Sequence, residues 1–340
     1  MRKYLVTGGA GFIGCNAVGR WLAAGHEVVA LDDLSRRGAE ANLAWLRQQP
    51  GKLLFERVDI RDAAALDAAI ERHRDADVVL HLAAQVAVTT SVEAPRHDFE
   101  VNALGTFNLL ESIRRHAQQA VFLYASTNKV YGALEAEGVE EHQGRYRFAR
   151  VAGIPETQPL DFHSPYGCSK GAADQYVRDY ARIYGLRTVC FRQSCIYGYR
   201  QFGVEDQGWV AWFTIAAVTG QPVSIYGDGK QVRDLLFVDD LLDAYDAAVA
   251  RAERVRGAVF NLGGGPEHTL SLLELVAMLE QLTGRPLRPS FAPWRPGDQP
   301  VFVADIARAS TALAWRPQVD VRTGLQRLYA WVVENRTLFG

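Results

Sequence analysis

Tyr166 and Lys170 stand four residues apart in the stretch Ser164-Pro-Tyr-Gly-Cys-Ser-Lys170. Pro165 suits the opening of a helix, which would place both side chains on one face, one turn apart. A phenol, with an ordinary pKa near 10, is a weak base by itself. A neighbouring ammonium favours the phenolate and is expected to lower that pKa. Such a pair can move a proton to or from a substrate hydroxyl near neutral pH. The same spacing arises by chance on surface helices, so its meaning depends on the elements around it.

The start of the chain supplies that context. Lys3–Thr7 reads as a short buried strand, followed directly by Gly8-Gly-Ala-Gly-Phe-Ile-Gly14. A helix is expected to Ala24, with Ile13, Val18, Trp21 and Leu22 on its apolar side and Gly25 closing it. A second strand, Glu27–Leu31, ends in Asp32-Asp33. Strand, glycine turn, helix, strand and acid in that order describe a dinucleotide site. Gly8, Gly11 and Gly14 let the backbone turn tightly, approach a pyrophosphate and pack the helix on the sheet. The helix N-terminus offers N–H groups to phosphate, and Asp32 sits where a carboxylate can hold a ribose hydroxyl. That carboxylate repels a 2′-phosphate and favours NAD. Arg36 and Arg37 could pair with such a phosphate, or be solvated loop charges.

Strands and helices go on alternating. Strands are expected over Leu53–Val58, Asp77–Leu82, Ala120–Ser126 and Leu186–Arg192, and helices over Asp62–His73, His97–His116 and Tyr166–Tyr184. The pattern implies an α/β fold, a Rossmann-type doubly wound parallel sheet covered on both faces. Ligands of such sheets sit beyond the carboxyl ends of the strands. That expectation gathers Gly8–Gly14, Asp32, Asp59, Ala83–Gln85, Ser126–Lys129 and Gln193–Cys195 around one crevice. His81, alone at a strand end, reads as a satisfied packing residue. Residues 133–160 are polar and read as an excursion without assignable chemistry. Past Gly198 the pattern loosens into a smaller mixed lobe. It contains a Trp209, Trp212, Phe213 stripe read as core, helices over Ser271–Leu282 and Val321–Asn335, and a loop at Trp294–Asp298 carrying Arg295. The expected division is a dinucleotide domain of residues 1–197 with about 234–263, and a substrate lobe of 198–233 with 264–340.

Composition bounds the partners. The chain has 340 residues, 48% hydrophobic and 22% charged, with a net charge of −2. That gives no electrostatic footprint for nucleic acid or an acidic membrane. No apolar run approaches the roughly 20 residues of a membrane span. The N-terminus enters a strand almost at once, so no signal peptide is expected. Cys15, Cys168, Cys190 and Cys195 have no Cys-x-x-Cys spacing; small buried thiols in a reducing cytoplasm are expected, with no disulfide framework and no metal site.

With these residues placed, the chain resembles the extended short-chain dehydrogenase/reductases that act on nucleotide sugars, over essentially its whole length. The landmarks are Thr7-Gly-Gly-Ala-Gly-Phe-Ile-Gly14, His81-Leu-Ala-Ala84, Ser126-Thr-Asn-Lys-Val-Tyr-Gly132, Tyr166-x-x-x-Lys170, Tyr226-Gly-Asp-Gly229 and Arg233-Asp-x-x-x-Val-Asp-Asp240. Within that family, Thr127–Gly132, Asp161–Tyr176, Arg200-Gln-Phe202 and Asp206–Val210 are most similar to the CDP-paratose (CDP-tyvelose) 2-epimerases. The resemblance implies a catalytic Thr127, Tyr166 and Lys170. It implies NAD contacts from Gly8, Gly11, Phe12, Ile13, Gly14, Asp32, Asp33, Leu34, Ser35, Arg36, Asp59, Ile60, Leu82, Ala83, Ala84, Gln85, Asn102, Tyr166, Lys170, Gln193 and Ser194. It implies substrate contacts from Gln85, Thr127, Asn128, Lys129, Cys195, Tyr226, Arg233 and Arg295, the two arginines gripping a diphosphate.

The implied reaction is epimerisation of a nucleotide-linked hexose through a keto sugar, at C2 of a CDP-sugar. A 4-epimerase or 4,6-dehydratase, or a non-catalytic NAD-binding protein, are the competing readings. Related dehydratases carry Asp-Glu where this chain has Asn128-Lys129, and Asn128 cannot serve as their acid. Many relatives carry Asn where Cys195 stands, and a thiol is a poor substitute donor. A homodimer or homotetramer, paired through the helices expected over His97–His116 and Tyr166–Tyr184, is implied by the resemblance.

Overall fold

The computed structural model describes residues 1–295 and 297–339. By contacts the chain divides into two compact units. The first comprises Met1–Val130, Ser164–Arg192 and Ala244–Phe260; the second comprises Tyr131–His163, Gln193–Asp243 and Asn261–Gly340.

The first unit is built on β1 (Lys3–Thr7), β2 (Glu27–Asp32), β3 (Lys52–Arg57), β4 (Val78–His81) and β5 (Val121–Thr127). With the strands Arg187–Gln193 and Ala258–Leu262 they form one seven-stranded sheet, in the order 258–262, 187–193, β5, β4, β1, β2, β3. The pairings β1–β2, β2–β3, β1–β4 and β4–β5 are parallel. The order reverses at β1, where the chain winds first one way and then the other. In doubly wound sheets this switch point is where ligands bind.

The central strands are buried on both faces; Leu5, Val6, Val29, Val79, Phe122 and Leu123 are at or near zero exposure. This is why they read as continuous apolar runs rather than alternating ones. Helix α1 (Phe12–Ala23) buries Cys15, Val18, Trp21 and Leu22 and ends at left-handed Gly25. A second helix, α2 (Ala39–Leu46), was not expected from the sequence; its apolar pattern is blurred because the buried face includes the polar Asn42 while Ala41, Ala44 and Trp45 lie off it. Helix α3 (Ala63–Arg72) opens on Asp62, whose carboxylate caps the N–H groups of Ala64 and Ala65.

The long helix expected over His97–His116 is present, its helical backbone carried without a break through an irregular turn. It runs as Pro95–Phe99, a π-helical turn at Glu100–Leu104, and Gly105–His116, preceded by a short helix at Val88–Glu93. A π turn inserts an extra residue, a feature frequent at functional sites. Here it turns Asn102 inward, at 1% exposure. Gly105 packs where a Cβ would come within 2.6 Å of Ile60. The helix of the Tyr166–Lys170 pair runs Ser164–Ile183 as expected, with Tyr166, Ser169, Lys170 and Asp174 on its buried side.

The second unit holds the small sheets. Val232–Phe237 pairs in parallel with Cys195–Tyr197 and Val301–Phe302, and antiparallel with Thr269–Ser271. Ser224–Tyr226 pairs with Ser290–Ala292. Helix Leu272–Thr283 begins with a capping box of Ser271 and Glu274. Residues 133–160, expected to be an irregular excursion, contain an antiparallel hairpin of Val139–His142 and Arg145–Phe148. Its turn, Gln143-Gly144, has φ of 52° and 78°. Glutamine in place of the usual Asn or Asp at the first position hid the hairpin signal.

The division also falls differently from the expected one. Residues 131–163 and 193–197 belong to the second unit, and of 234–263 only 244–260 belong to the first. Local bonds explain this: Tyr131 donates to Asn261, Ile154 bridges Ala304, and Arg145 bonds Glu274 and Thr269. Of the loop expected at 294–298, Pro296 lies outside the described residues.

Candidate active site

In the first unit the glycine turn is dictated by close packing. A Cβ on Gly14 would lie 2.1 Å from the Gly8 carbonyl oxygen, and one on Gly8, at φ 69°, 2.7 Å from the Ala83 nitrogen. Gly11 caps α1 without a side-chain bond, and no acid stands in the first turn. The leading N–H groups are thereby left for an anion. Phe12 and Ile13 are half-buried at the same turn.

Asp32, 7% exposed at the end of β2, accepts the Ala10 N–H on one oxygen (2.9 Å) and the Leu34 N–H on the other (2.8 Å). A carboxylate has about four acceptor sites, so these bonds fix its position and leave capacity for a ribose. Burial raises its pKa. Leu34 sits at φ 61°, Asp33 accepts from Ser35, and Ser35, Arg36 and Arg37 are exposed. Asp59 is gripped on both oxygens by Arg61, which holds its pKa below the ordinary range. Ile60 is buried. Leu82, Ala83 and Ala84 are half-buried beyond β4. His81, buried, bonds Thr7 at 2.6 Å and Thr106 at 2.9 Å. Burial pushes its pKa down to about 3, so it is the neutral packing residue expected.

Two expected contacts look elsewhere. The Gln85 side chain is spent on Ala87 and on Asp98 (2.9 Å). The Asn102 amide accepts the Gln85 N–H and donates to the Gln85 carbonyl, Asp98 and Ser169. Both side chains therefore spend polar atoms on partners inside the protein.

Thr127, at the end of β5, is 7% exposed and Tyr166 is 8% exposed. The Tyr166 hydroxyl shares a side-chain hydrogen bond with Thr127. Thr127 Oγ1 also accepts the Lys129 N–H at 3.2 Å and bonds Asn128 at 3.3 Å. Lys170 Nζ donates to the Ala125 carbonyl at 2.6 Å and lies 4.4 Å from the centre of the Tyr124 ring.

The electrostatics run opposite to expectation. Burial lifts the Tyr166 phenol to about 12, with the Thr127 bond opposing, and the lysine does not depress it. Burial lowers the Lys170 ammonium to about 8. The physical reason is that an i, i+4 spacing brings two side chains to one face without making them partners. The lysine head is drawn instead to a backbone carbonyl and a ring face.

Beneath this trio lies a cluster that sequence reading missed. Asp174, wholly buried, is held bidentately by Arg192 at 3.0 Å and also accepts from Ser126 (2.8 Å) and Cys190 (3.1 Å). Asp174 stands one turn beyond Lys170, which is the signal that could have found it.

The second unit carries the remaining candidates. Ser194 donates to Asp234, a fully buried carboxylate that burial lifts to about 6. Gln193 is buried at the end of its strand. Cys195 is partly buried, accepts from Trp209, and desolvation pushes its thiol to about 12. Trp209, read as core from the sequence, is thus turned partly toward Cys195, while Phe213 is buried as expected. Arg233 pairs with Asp298 at 2.6 Å. Arg295 pairs with Asp206 at 2.8 Å and stacks over the Tyr226 ring at 3.8 Å, while the Tyr226 hydroxyl donates to Glu205. Each arginine is held by a carboxylate, which pre-orients a guanidinium and leaves some of its five donors unspent. Among the described residues no cluster of His, Cys, Asp and Glu could hold a metal ion, and no helix is long and apolar enough to cross a membrane. Of the four thiols expected to be buried, Cys15 and Cys190 are, Cys195 is partly buried, and Cys168 is exposed because its place on the Ser164–Ile183 helix turns away from the buried side.

A glycine turn feeding an uncapped helix, a carboxylate at the next strand end and a buried Tyr–Lys helix beside Thr127 define a dinucleotide-dependent α/β enzyme. Residues 4–263 match the NAD dependent epimerase/dehydratase family, and the chain belongs to it. It is 46% identical over 335 residues to the CDP-paratose 2-epimerase of Salmonella typhi, covering 97% of this chain and 98% of that one. Among solved structures it is similar to the UDP-glucose 4-epimerase of Thermotoga maritima with UDP-glucose, at TM-score 0.85 and 32% identity, covering 98% and 99% of the two chains. It is also similar to the UDP-glucuronic acid 4-epimerase of Bacillus cereus in complex with UDP-glucuronic acid and NAD, at TM-score 0.83 and 28% identity, with the same coverage.

Proposed function

We propose that this enzyme inverts C2 of a CDP-linked hexose of the paratose/tyvelose type, using bound NAD with no net redox change. The observation that carries the choice of substrate is the 46% identity over 97% of the chain to a CDP-paratose 2-epimerase. The glycine turn, the uncapped α1 N-terminus and Asp32 fit an NAD: phosphates at the N–H groups, a ribose at the carboxylate.

In this reading NAD supplies a hydride acceptor that later gives the hydride back. The chain supplies the proton chemistry and the positioning. Thr127 hydrogen-bonds the reacting sugar oxygen. Tyr166 takes the hydroxyl proton as the carbon loses its hydride, and returns a proton to the oxygen when hydride has been delivered to the opposite face. Lys170 holds the nicotinamide ribose. Phe12, Ile13, Asp33–Arg36, Asp59, Ile60, Leu82–Ala84, Gln193 and Ser194 complete the cofactor's surroundings, with Gln85 and Asn102 shaping them from beneath. Asn128, Lys129, Cys195, Tyr226, Arg233 and Arg295 serve the nucleotide sugar. Tyr166 is a phenol at neutral pH in the protein alone, so the phenolate has to be favoured once positive charge from the oxidised cofactor is present.

Dehydration is disfavoured because Asn128 cannot act as acid or base. Incubation with CDP-, UDP- and GDP-linked hexoses in deuterated water, followed by NMR of the sugar ring, tests the reading. Inversion at C2 of a CDP-sugar without solvent deuterium is expected. Inversion at C4, or an unsaturated or deoxy-keto product, would replace it with a 4-epimerase or dehydratase. No change with any sugar would favour a non-catalytic protein.

We further propose a homodimer or homotetramer in the cytoplasm. Phe107 on the helix Gly105–His116, Tyr176 and Tyr180 on the helix Ser164–Ile183, and Tyr184 just past its end form a continuous aromatic stripe. Phe99, Leu104, Tyr176, Ile183 and Tyr184 in the same region are exposed. An apolar surface of this kind marks an interface.

A further inference from the structure

Two buried carboxylates flank the Tyr166–Lys170 helix, and they are satisfied differently. Asp174 spends its charge on Arg192. Asp98, also at zero exposure, has only neutral donors: Gln85 Nε2, Asn102 Nδ2 and Ser169 Oγ. Among the described residues it makes no ion pair. A buried carboxylate without a cation is costly. The one buried ammonium in this part of the unit is Lys170, at 4% exposure, next in the chain to the serine that Asp98 holds. Lys170 has a carbonyl and a ring face as neighbours but likewise no ion pair.

We propose that Asp98 is the counter-charge of Lys170 and a positioning residue for the Tyr166–Lys170 pair. Through Gln85, Asn102 and Ser169 it ties the segment after β4, the π turn and the Ser164–Ile183 helix to one buried point. The groups acting on Lys170 are Cys190, Asp174 and Asp98, all of which favour its ammonium against burial, and the neutral His81 and Tyr124 beside it. Asp174 is already compensated by Arg192, which leaves Asp98 to balance the lysine. Asp98 in turn senses Lys170 and His97. This arrangement does not depend on which sugar is the substrate.

Asp98→Asn separates charge from geometry. The amide oxygen can accept from Gln85 and Asn102, and the new NH2 can donate to Ser169 Oγ, whose own hydrogen can turn to the Tyr166 carbonyl at 3.2 Å. The chain has five lysines, Lys3, Lys52, Lys129, Lys170 and Lys230. Protein labelled with ε-13C lysine thus gives few signals, and Lys170→Met assigns the one that matters. In the NAD-loaded protein the Lys170 titration is expected to move down by about one pH unit in Asp98→Asn, in the direction nearby charge dictates. An unchanged titration in folded protein overturns the proposal and leaves Asp98 a hydrogen-bond hub only.

Should Asp98→Asn be too unstable to titrate, melting temperatures answer instead. In the Lys170→Met background the same substitution should raise Tm, because it removes an orphaned carboxylate. An equal loss of Tm with and without Lys170 overturns the proposal. Neither readout uses turnover, so a wrong substrate assignment would not mimic failure here.

Discussion

Tyr166 and Lys170 are both buried, and burial acts on them in opposite senses. A phenolate loses hydration, so the phenol is held up to about 12; an ammonium loses hydration, so the lysine is brought down to about 8. The sign for activity follows. Lys170 is charged below about 8 and neutral above it, so kcat/KM should fall as pH rises through that value. A rate still climbing well past pH 9 would remove Lys170's ammonium from the mechanism. Tyr166→Phe removes the proton carrier but fills the same space. It should fold and bind NAD with near-normal affinity, as calorimetry would show, yet lose at least about 10²-fold in turnover. A variant with near-normal turnover would end the role assigned to Tyr166.

At the level of elements, the site exists because strand ends and helix starts converge with little room. The 2.1 Å approach that a Gly14 Cβ would make to the Gly8 carbonyl is backbone against backbone, so neither side can yield cheaply. Gly14→Ala should cost roughly 1–3 kcal/mol of stability and at least tenfold in NAD affinity, because the turn that presents the α1 N–H groups must open. Gly25→Ala is the matched control. Its φ is 77° and its Cβ would meet nothing within 4 Å. It should cost about 1 kcal/mol of strain and leave NAD affinity alone. Equal losses of affinity in the two variants would mean that the glycine turn acts only through stability. The π turn at Glu100–Leu104 and the hairpin at 139–148 are elements of another kind: each departs from regular periodicity, one to bury Asn102, the other on a Gln-Gly turn.

At the level of the whole molecule, the aromatic stripe from Phe107 to Tyr184 predicts self-association through the first unit. Ile183→Asp together with Tyr176→Glu, both at exposed positions, should shift the sedimentation coefficient to that of a monomer of 37.6 kDa while the circular dichroism spectrum is retained. An unchanged sedimentation coefficient would place any assembly on a different surface.

The parallel strands and most of the helices between them, the glycine turn, Asp32 at its strand end and the Tyr166–Lys170 helix were legible in the chain, because each depends on local rules: periodicity, positive φ, capping, and one-turn spacing; α2 and the 139–148 hairpin were not. Those rules fix which atoms are near in sequence. They do not fix what a buried polar atom will choose among distant partners. Gln85 and Asn102 carry the right chemistry for a cofactor contact, yet Asp98 claims both. Lys170 has the right spacing to Tyr166, yet the Ala125 carbonyl claims its ammonium. Asp174 and Arg192 lie 18 residues apart and meet only because the helix packs on the sheet. The cost of leaving a buried donor or charge unsatisfied is paid over the whole packed structure, so only tertiary structure could decide where these groups turn.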